Sequence, residues 1–131
     1  MRGLIIADED EASRVRLGDL LRAEGYDVWT TSSVSSAVEG ILKNVVQVVI
    51  LGGRIDGVTA AKLIPVLKQC RGDVKVIVVS EETSLAVLRQ LRQKGIFYYL
   101  TKPVTAEDRD EVRQVVQCAF GTFAVQHGPA A

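Results

Sequence analysis

Short apolar runs alternate along the chain with segments whose apolar residues recur at helical spacing. Uninterrupted apolar runs indicate strands buried on both faces of a parallel sheet, and the helical spacing indicates amphipathic helices. The pattern predicts strands at 4–7, 26–30, 45–51, 74–79 and 96–100, and helices at 11–24, 33–42, 59–69, 85–93 and 107–120. Pro65 has no amide hydrogen, so it is expected to kink the third helix or delay its start. Thr105 is a predicted cap of the last helix, with Asp108 three residues on.

This regular alternation predicts an α/β fold with right-handed crossovers. The expected architecture is a flavodoxin-like, doubly wound sheet of five parallel strands in the order 2-1-3-4-5, with helices on both faces. A length of 131 residues suits one domain. We therefore predict a single domain over residues 1–121 and a C-terminal extension or tail over residues 122–131.

Composition narrows the class of protein. The 16 basic and 16 acidic residues balance, which removes the usual electrostatic reason to expect nucleic acid or an anionic membrane as a partner. No apolar run approaches a signal peptide or the ~20 residues of a membrane span, so a cytoplasmic protein is expected. Cys70 and Cys118 lack metal-ligand spacing and are expected to be free thiols.

Polar side chains follow three of the predicted strands at the point where each strand ends. Asp8 and Glu9 follow the first strand, Ser80 and Glu81 the fourth, and Lys102 the fifth. Each residue alone is more often a helix-start or turn residue. Because the carboxyl ends of parallel strands meet at one edge, they are expected to lie together. Carboxylates suit Mg²⁺, whereas a hydroxyl and an ammonium suit phosphoryl oxygens.

Six segments of the sequence, 4–10, 23–28, 48–51, 56–57, 76–80 and 99–103, match a known family pattern. Through them the chain resembles the receiver domain of response regulators in two-component signalling over about residues 2–120. The resemblance implies that Asp8 and Glu9 bind Mg²⁺ and that an aspartate ending the third strand accepts a phosphoryl group from a histidine kinase. It also implies that Ser80, Tyr99 and Lys102 respond to that group.

Three features depart from the family pattern. The acceptor position is Gly52, the segment from Gly52 to Gly57 is short, and Glu81 stands where the family usually has a small residue. We therefore predict a degenerate receiver that acts through protein–protein contacts and is not an enzyme. It requires no cofactor, and Mg²⁺ binding at the acidic pair is expected to be weak. Lys102, with Arg54 as a second candidate, is expected to neutralise the acidic pair.

Two other functions stay open at this point. The chain could be a working phosphoacceptor that uses Asp56 or a site rebuilt by the short loop. More remotely, it could be a small flavodoxin-like enzyme or cofactor binder. A phosphate-binding loop would need Gly, Ser or Thr after the first strand, where this chain has three acids.

The candidate interface residues lie at the end of the last predicted helix and just beyond it. Val112, Val115, Val116 and Ala119 form a stripe that is expected to cover the sheet. The apolar pattern then continues through Phe120, Phe123 and Val125, and exposed aromatic surface of this kind indicates an interface. The resemblance implies that a sensor kinase, an output protein or domain, or a second copy of the chain binds the face formed by helix four, strand five and helix five.

Overall fold

The computed structural model describes the backbone of residues 2–127 and the side chains of residues 2–121. Twelve elements follow one another along the chain. They are β1 (Gly3–Ala7), α1 (Glu11–Ala23), β2 (Asp27–Thr31), α2 (Val34–Leu42), β3 (Val48–Leu51), β4 (Arg54–Ile55), β5 (Val58–Thr59), α3 (Ala60–Cys70), β6 (Lys75–Ser80), α4 (Leu85–Gln93), β7 (Tyr98–Thr101) and α5 (Ala106–His127).

The main sheet has five parallel strands in the order β2-β1-β3-β6-β7. This is the predicted order 2-1-3-4-5 with the two short strands β4 and β5 left out of the numbering. The register pairs Ala7 with Leu51, and Leu51 with Val78. The carboxyl ends of β1, β3 and β6 therefore meet at one edge, which confirms the placement on which the predicted site depends.

Apolar side chains cover both faces of the sheet. One core cluster contains Leu63 and Ile64 of α3 with Ile41 of α2, and the other contains Leu17 and Leu21 of α1 with the predicted stripe of α5. Val112, Val115, Val116 and Ala119 are all buried, so the predicted role of that stripe in covering the sheet is confirmed.

The end of α5 differs from the sequence-based expectation. The helix continues to His127 instead of ending near residue 120. Phe120 is only 8% exposed, and its ring stacks on Tyr26 with centroids 5.1 Å apart. The expectation that Phe120 is an exposed aromatic is therefore wrong, because its own domain covers it. The side chains of Phe123 and Val125 lie outside the described residues.

Two predictions about helix ends have different outcomes. The Thr105 hydroxyl accepts from the Asp108 amide, and the Asp108 carboxylate accepts from the Thr105 amide, both at 3.1 Å. This reciprocal pair confirms the predicted cap. Pro65 lies inside α3, which begins at Ala60, so it does not delay the start of the helix.

A tight hairpin occupies the short segment after β3. Strands β4 and β5 pair in antiparallel fashion, and both turn residues have positive φ angles, 52° at Asp56 and 72° at Gly57. An Asp-Gly pair favours this kind of two-residue turn, because its twist matches that of the strands. The Val34 amide donates to the Asp56 carboxylate at 2.7 Å, which ties the hairpin tip to the start of α2.

No helix in the described part of the chain is long and apolar enough to cross a membrane.

Candidate functional site

A cleft of about 600 Å³ opens at the carboxyl edge of the main sheet. The five polar residues predicted to meet there, Asp8, Glu9, Ser80, Glu81 and Lys102, all line it. Strands β1, β6 and β7 position these residues, because each residue lies at or just beyond the carboxyl end of its strand. The fold therefore brings together the side chains that the sequence only placed at one edge.

The Asp8 carboxylate occupies the space beside Gly52. A Cβ atom added to Gly52 would lie 2.2 Å from Asp8 Cγ and 2.5 Å from each carboxylate oxygen. Two carbon atoms that are not bonded to each other do not approach so closely. A side chain at position 52 therefore fits only if Asp8 moves.

Asp8 is held in this position and is largely removed from water. It is 4% exposed, its Oδ1 accepts from the Asp10 amide at 3.0 Å, and Arg14 Nη1 donates to its backbone carbonyl at 2.7 Å. Burial raises the pKa of Asp8 above its ordinary value, against the opposing effects of the Asp10 amide and the Lys102 charge. The site thus contains a constrained carboxylate with an increased affinity for protons.

Lys102 pairs with Asp10 and not with the predicted acidic pair. Its Nζ lies 2.6 Å from Asp10 Oδ2, and this hydrogen bond lowers the pKa of Asp10 and raises the pKa of Lys102. The Asp10 carboxylate also caps α1 by accepting from the Ser13 amide at 3.3 Å. Asp10 was not among the predicted site residues. An aspartate just before a predicted helix is a typical N-cap, and this position was the signal that could have identified it.

Arg54, the second candidate for neutralising the acids, has another partner. Its Nη1 donates to the Gly57 carbonyl at 3.2 Å, within the hairpin. The Arg54 carbonyl accepts from the Glu9 amide at 3.3 Å, so the hairpin is also tied to the loop after β1. Arg54 therefore braces the hairpin as well as lining the cleft.

Ser80 and Tyr99 are linked through Glu82, which the sequence did not single out. The Glu82 amide donates to Ser80 Oγ at 3.0 Å, and the Tyr99 hydroxyl donates to the Glu82 carbonyl at 2.7 Å. The Tyr99 ring packs against the core cluster that includes α3. Because Glu82 contributes backbone atoms, its side-chain type gave no signal for this role.

Asp56 lies at the hairpin tip, where its carboxylate is bonded to the start of α2. It is not among the described residues that line the cleft. Asp8 and Glu9, the carboxylates expected to bind Mg²⁺, both line the cleft. Within residues 2–121, no group of three or more His, Cys, Asp or Glu side chains is arranged to hold a metal.

Three large hydrophobic side chains in the C-terminal half of the domain are exposed. Leu85 at the start of α4, Tyr98 on β7 and Val104 before α5 are 67%, 46% and 79% exposed. Leu85 and Tyr98 belong to elements that the resemblance associates with partner binding, and Val104 lies in the loop between two of these elements. We call these three residues the α4–β7–α5 surface.

The chain is similar in sequence to curated proteins. The DNA-binding transcriptional regulator NtrC of Azospirillum brasilense is 29% identical over 119 residues, which are 91% of this chain and 24% of that protein. The chain thus spans about a quarter of the length of this curated relative.

Solved structures share the fold. A receiver domain protein from Clostridium thermocellum superposes with a TM-score of 0.83 at 21% identity, covering 96% of this chain and 99% of that one. The beryllofluoride-activated NtrC4 receiver domain dimer gives a TM-score of 0.82 at 23% identity, covering 94% and 99%. The response regulator receiver domain pattern matches residues 4–117. The chain therefore belongs to the response regulator receiver domain family and is a receiver domain of two-component signalling.

Proposed function

We propose that this receiver domain signals through protein contacts and is not switched by aspartyl phosphorylation. The observation that supports this most directly is the position of Asp8 beside Gly52. Strand β3 offers no carboxylate to attack phosphorus, and the space for one is filled by a neighbouring side chain. Without a nucleophile, the covalent step of aspartyl phosphorylation has no acceptor at this position.

The charge of the cleft supports the same proposal. Five acidic and two basic side chains line it, and one of the two bases, Lys102, is already paired with Asp10. An incoming phosphoryl group carries negative charge, so this excess of carboxylates, Glu81 among them, repels it. We expect Mg²⁺ binding to be weak as well, because no third carboxylate completes the site.

The α4–β7–α5 surface is the proposed contact region. Leu85, Tyr98 and Val104 are exposed apolar or aromatic side chains, and covering them would favour association. The hydrogen bond from Tyr99 to Glu82 fixes the neighbouring part of β7 without a phosphoryl group. The partner would be a sensor kinase, an output protein or domain, or a second copy of the chain. In this proposal the protein acts in the cytoplasm and is not an enzyme.

Incubation with acetyl phosphate and Mg²⁺, followed by intact mass measurement, tests the proposal. We expect no mass increase, while a receiver domain with an acceptor aspartate, treated in parallel, gains one phosphate. A mass increase that disappears in Asp56→Asn would instead establish the hairpin aspartate as the acceptor. An increase that persists in Asp56→Asn would show that another residue is the acceptor, and either increase would refute the proposal.

A further inference from the structure

Strand β2 is an outer strand of the main sheet, at the opposite edge from β7. The Asp27 amide and the Thr31 carbonyl bond to residues that flank β1, each at 3.1 Å. Bonding residues alternate along a strand of a parallel ladder, so Asp27, Trp29 and Thr31 bond toward β1. The backbone N–H and C=O groups of Val28 and Thr30 therefore point away from the sheet.

Little protects this outer edge of β2. Natural edge strands are commonly blocked by lysine, by proline or by a bulge. Strand β2 contains neither lysine nor proline, and its residues pair one-to-one with those of β1, without a bulge. In the described part of the chain, one side chain bonds to the outer edge: Arg22 Nη2 donates to the Val28 carbonyl at 3.3 Å, at an exposed position. The edge is thus open to a further strand.

The centre of β2 carries the only tryptophan of the chain. Trp29 pairs in register with Ile5, so its side chain lies on the face of the sheet that α2 and α3 cover. It is nevertheless 42% exposed. Its ring lies against the start of β1, where a Cβ atom on Gly3 would be 3.2 Å from Trp29 Cζ3. A large aromatic surface therefore stays in water at the middle of an open edge.

We propose that β2 pairs with the β2 strand of a second copy of the chain, in antiparallel direction and centred on Trp29. The outward-facing Val28 and Thr30 lie symmetrically about Trp29. In this register Val28 lies opposite Thr30 of the partner copy and exchanges two hydrogen bonds with it, and the two-fold axis repeats the pair. All outward N–H and C=O groups of both strands are then bonded, once Arg22 releases the Val28 carbonyl.

The side chains fit the same register. The two Trp29 residues face each other at the two-fold axis in a non-hydrogen-bonded pair, the closer kind of cross-strand pair, which aromatic residues stabilise. Asp27, the only charged residue of β2, lies opposite Thr31 of the partner copy, so no like charges face each other along the paired strands. The sequence of β2 thus meets both conditions for pairing with itself. Because β7 lies at the other edge, this interface is separate from the α4–β7–α5 surface and independent of the proposed function.

Hydrogen exchange measured by NMR over a range of concentrations tests the pairing. We expect the Val28 and Thr30 amides to become protected as the chain concentration rises from about 10 µM to about 1 mM, whereas the Trp29 amide is protected throughout. The fluorescence of the single tryptophan should move to shorter wavelength over the same range, because water leaves the indole. Val28 and Thr30 amides that exchange equally fast at both concentrations would overturn the proposal, even for a chain that associates through another surface or binds another protein's peptide at this edge.

Charge variants at the centre of β2 test the register. Trp29→Lys places two lysines opposite each other and should weaken association about tenfold or more. Tyr98→Lys introduces the same charge at an exposed aromatic of the opposite edge strand and should leave the protection of the β2 amides unchanged. An equimolar mixture of Trp29→Lys and Trp29→Glu should restore association, because lysine then faces glutamate. Equal effects of the two lysine variants, or no restoration in the mixture, would overturn the proposal.

If the Trp29 variants do not fold, a pair of substitutions at Thr30 decides. Thr30→Pro removes an outward N–H group and no bond to β1, whereas Thr30→Val keeps that group. We expect association to be lost in Thr30→Pro and retained in Thr30→Val. Equal association of these two variants would overturn the proposal.

Discussion

Replacing Gly52 with alanine should destabilise the domain through Asp8. The new Cβ atom would lie 2.2 Å from Asp8 Cγ, so the carboxylate must leave its present position. Overpacking a well-filled site costs about 1–3 kcal/mol. Moving Asp8 also breaks its 3.0 Å hydrogen bond from the Asp10 amide, and a bond to a charged group is worth about 1.5–3 kcal/mol. Because the two effects overlap, we expect the free energy of unfolding to fall by about 2–4 kcal/mol.

A double-mutant cycle in urea separates this mechanism from a general intolerance of alanine. In an Asp8→Ala background the obstructing carboxylate is absent, so Gly52→Ala should cost much less than in the native chain. Gly72→Ala is the matched control, because a Cβ atom there meets nothing within 4 Å. A Gly52→Ala variant as stable as the native chain would rule out overpacking against Asp8. The same cost of Gly52→Ala with and without Asp8 would rule it out as well.

Three further predictions concern the remaining contacts of the site and the end of α5. Because the pKa of Asp8 is raised, the native state binds the proton of the Asp8 carboxyl group more tightly than the unfolded chain does. The stability of the native state therefore falls as pH rises through the range just above 3.8. Asp8→Asn should therefore be more stable than the native chain at pH 7 and lose that advantage as the pH is lowered toward 3.8; an advantage independent of pH would contradict this explanation. Tyr99→Phe removes the 2.7 Å bond to the Glu82 carbonyl and should cost about 0.5–1.5 kcal/mol in denaturant titrations. The control Tyr98→Phe alters an exposed ring and should cost little, and equal costs would count against the contact. If Phe123 and Val125 form an interface, ending the chain at Phe120 should lower the mass of the assembly in light scattering. The opposite outcome is a full chain that is monomeric at high concentration and a truncation that lowers only the melting temperature. That outcome would show that the segment packs on its own domain.

Much of the fold could be predicted because its signals are local. The apolar runs at β1, β3 and β6 are continuous, as expected of strands covered on both faces, and the regular alternation of strands and helices indicated the flavodoxin-like strand order. The capping pair of Thr105 and Asp108 was recognisable because both partners lie within one turn. Each of these features depends on residues that are close in sequence.

Two contacts between distant parts of the chain and one local hairpin were not predicted. The pairing of Lys102 with Asp10 joins residues far apart in sequence, and three successive acids after β1 left its choice of partner open. The hairpin was missed although Asp56-Gly57 favours its turn, because two flanking strands of two residues each are too short for an alternating pattern. Phe120 was expected to be exposed because the stripe on α5 was taken to end at Ala119, whereas the ring of Tyr26 supplies a partner across the domain.

The proposed function requires that a phosphodonor leaves the α4–β7–α5 surface unchanged. Two-dimensional amide NMR spectra, recorded with Mg²⁺ before and after addition of acetyl phosphate, test it at individual residues. We predict that the amides of Leu85, Tyr98, Tyr99 and Lys102 keep their positions on addition of acetyl phosphate. A new set of signals at these residues, appearing with acetyl phosphate and not with Mg²⁺ alone, would contradict the account.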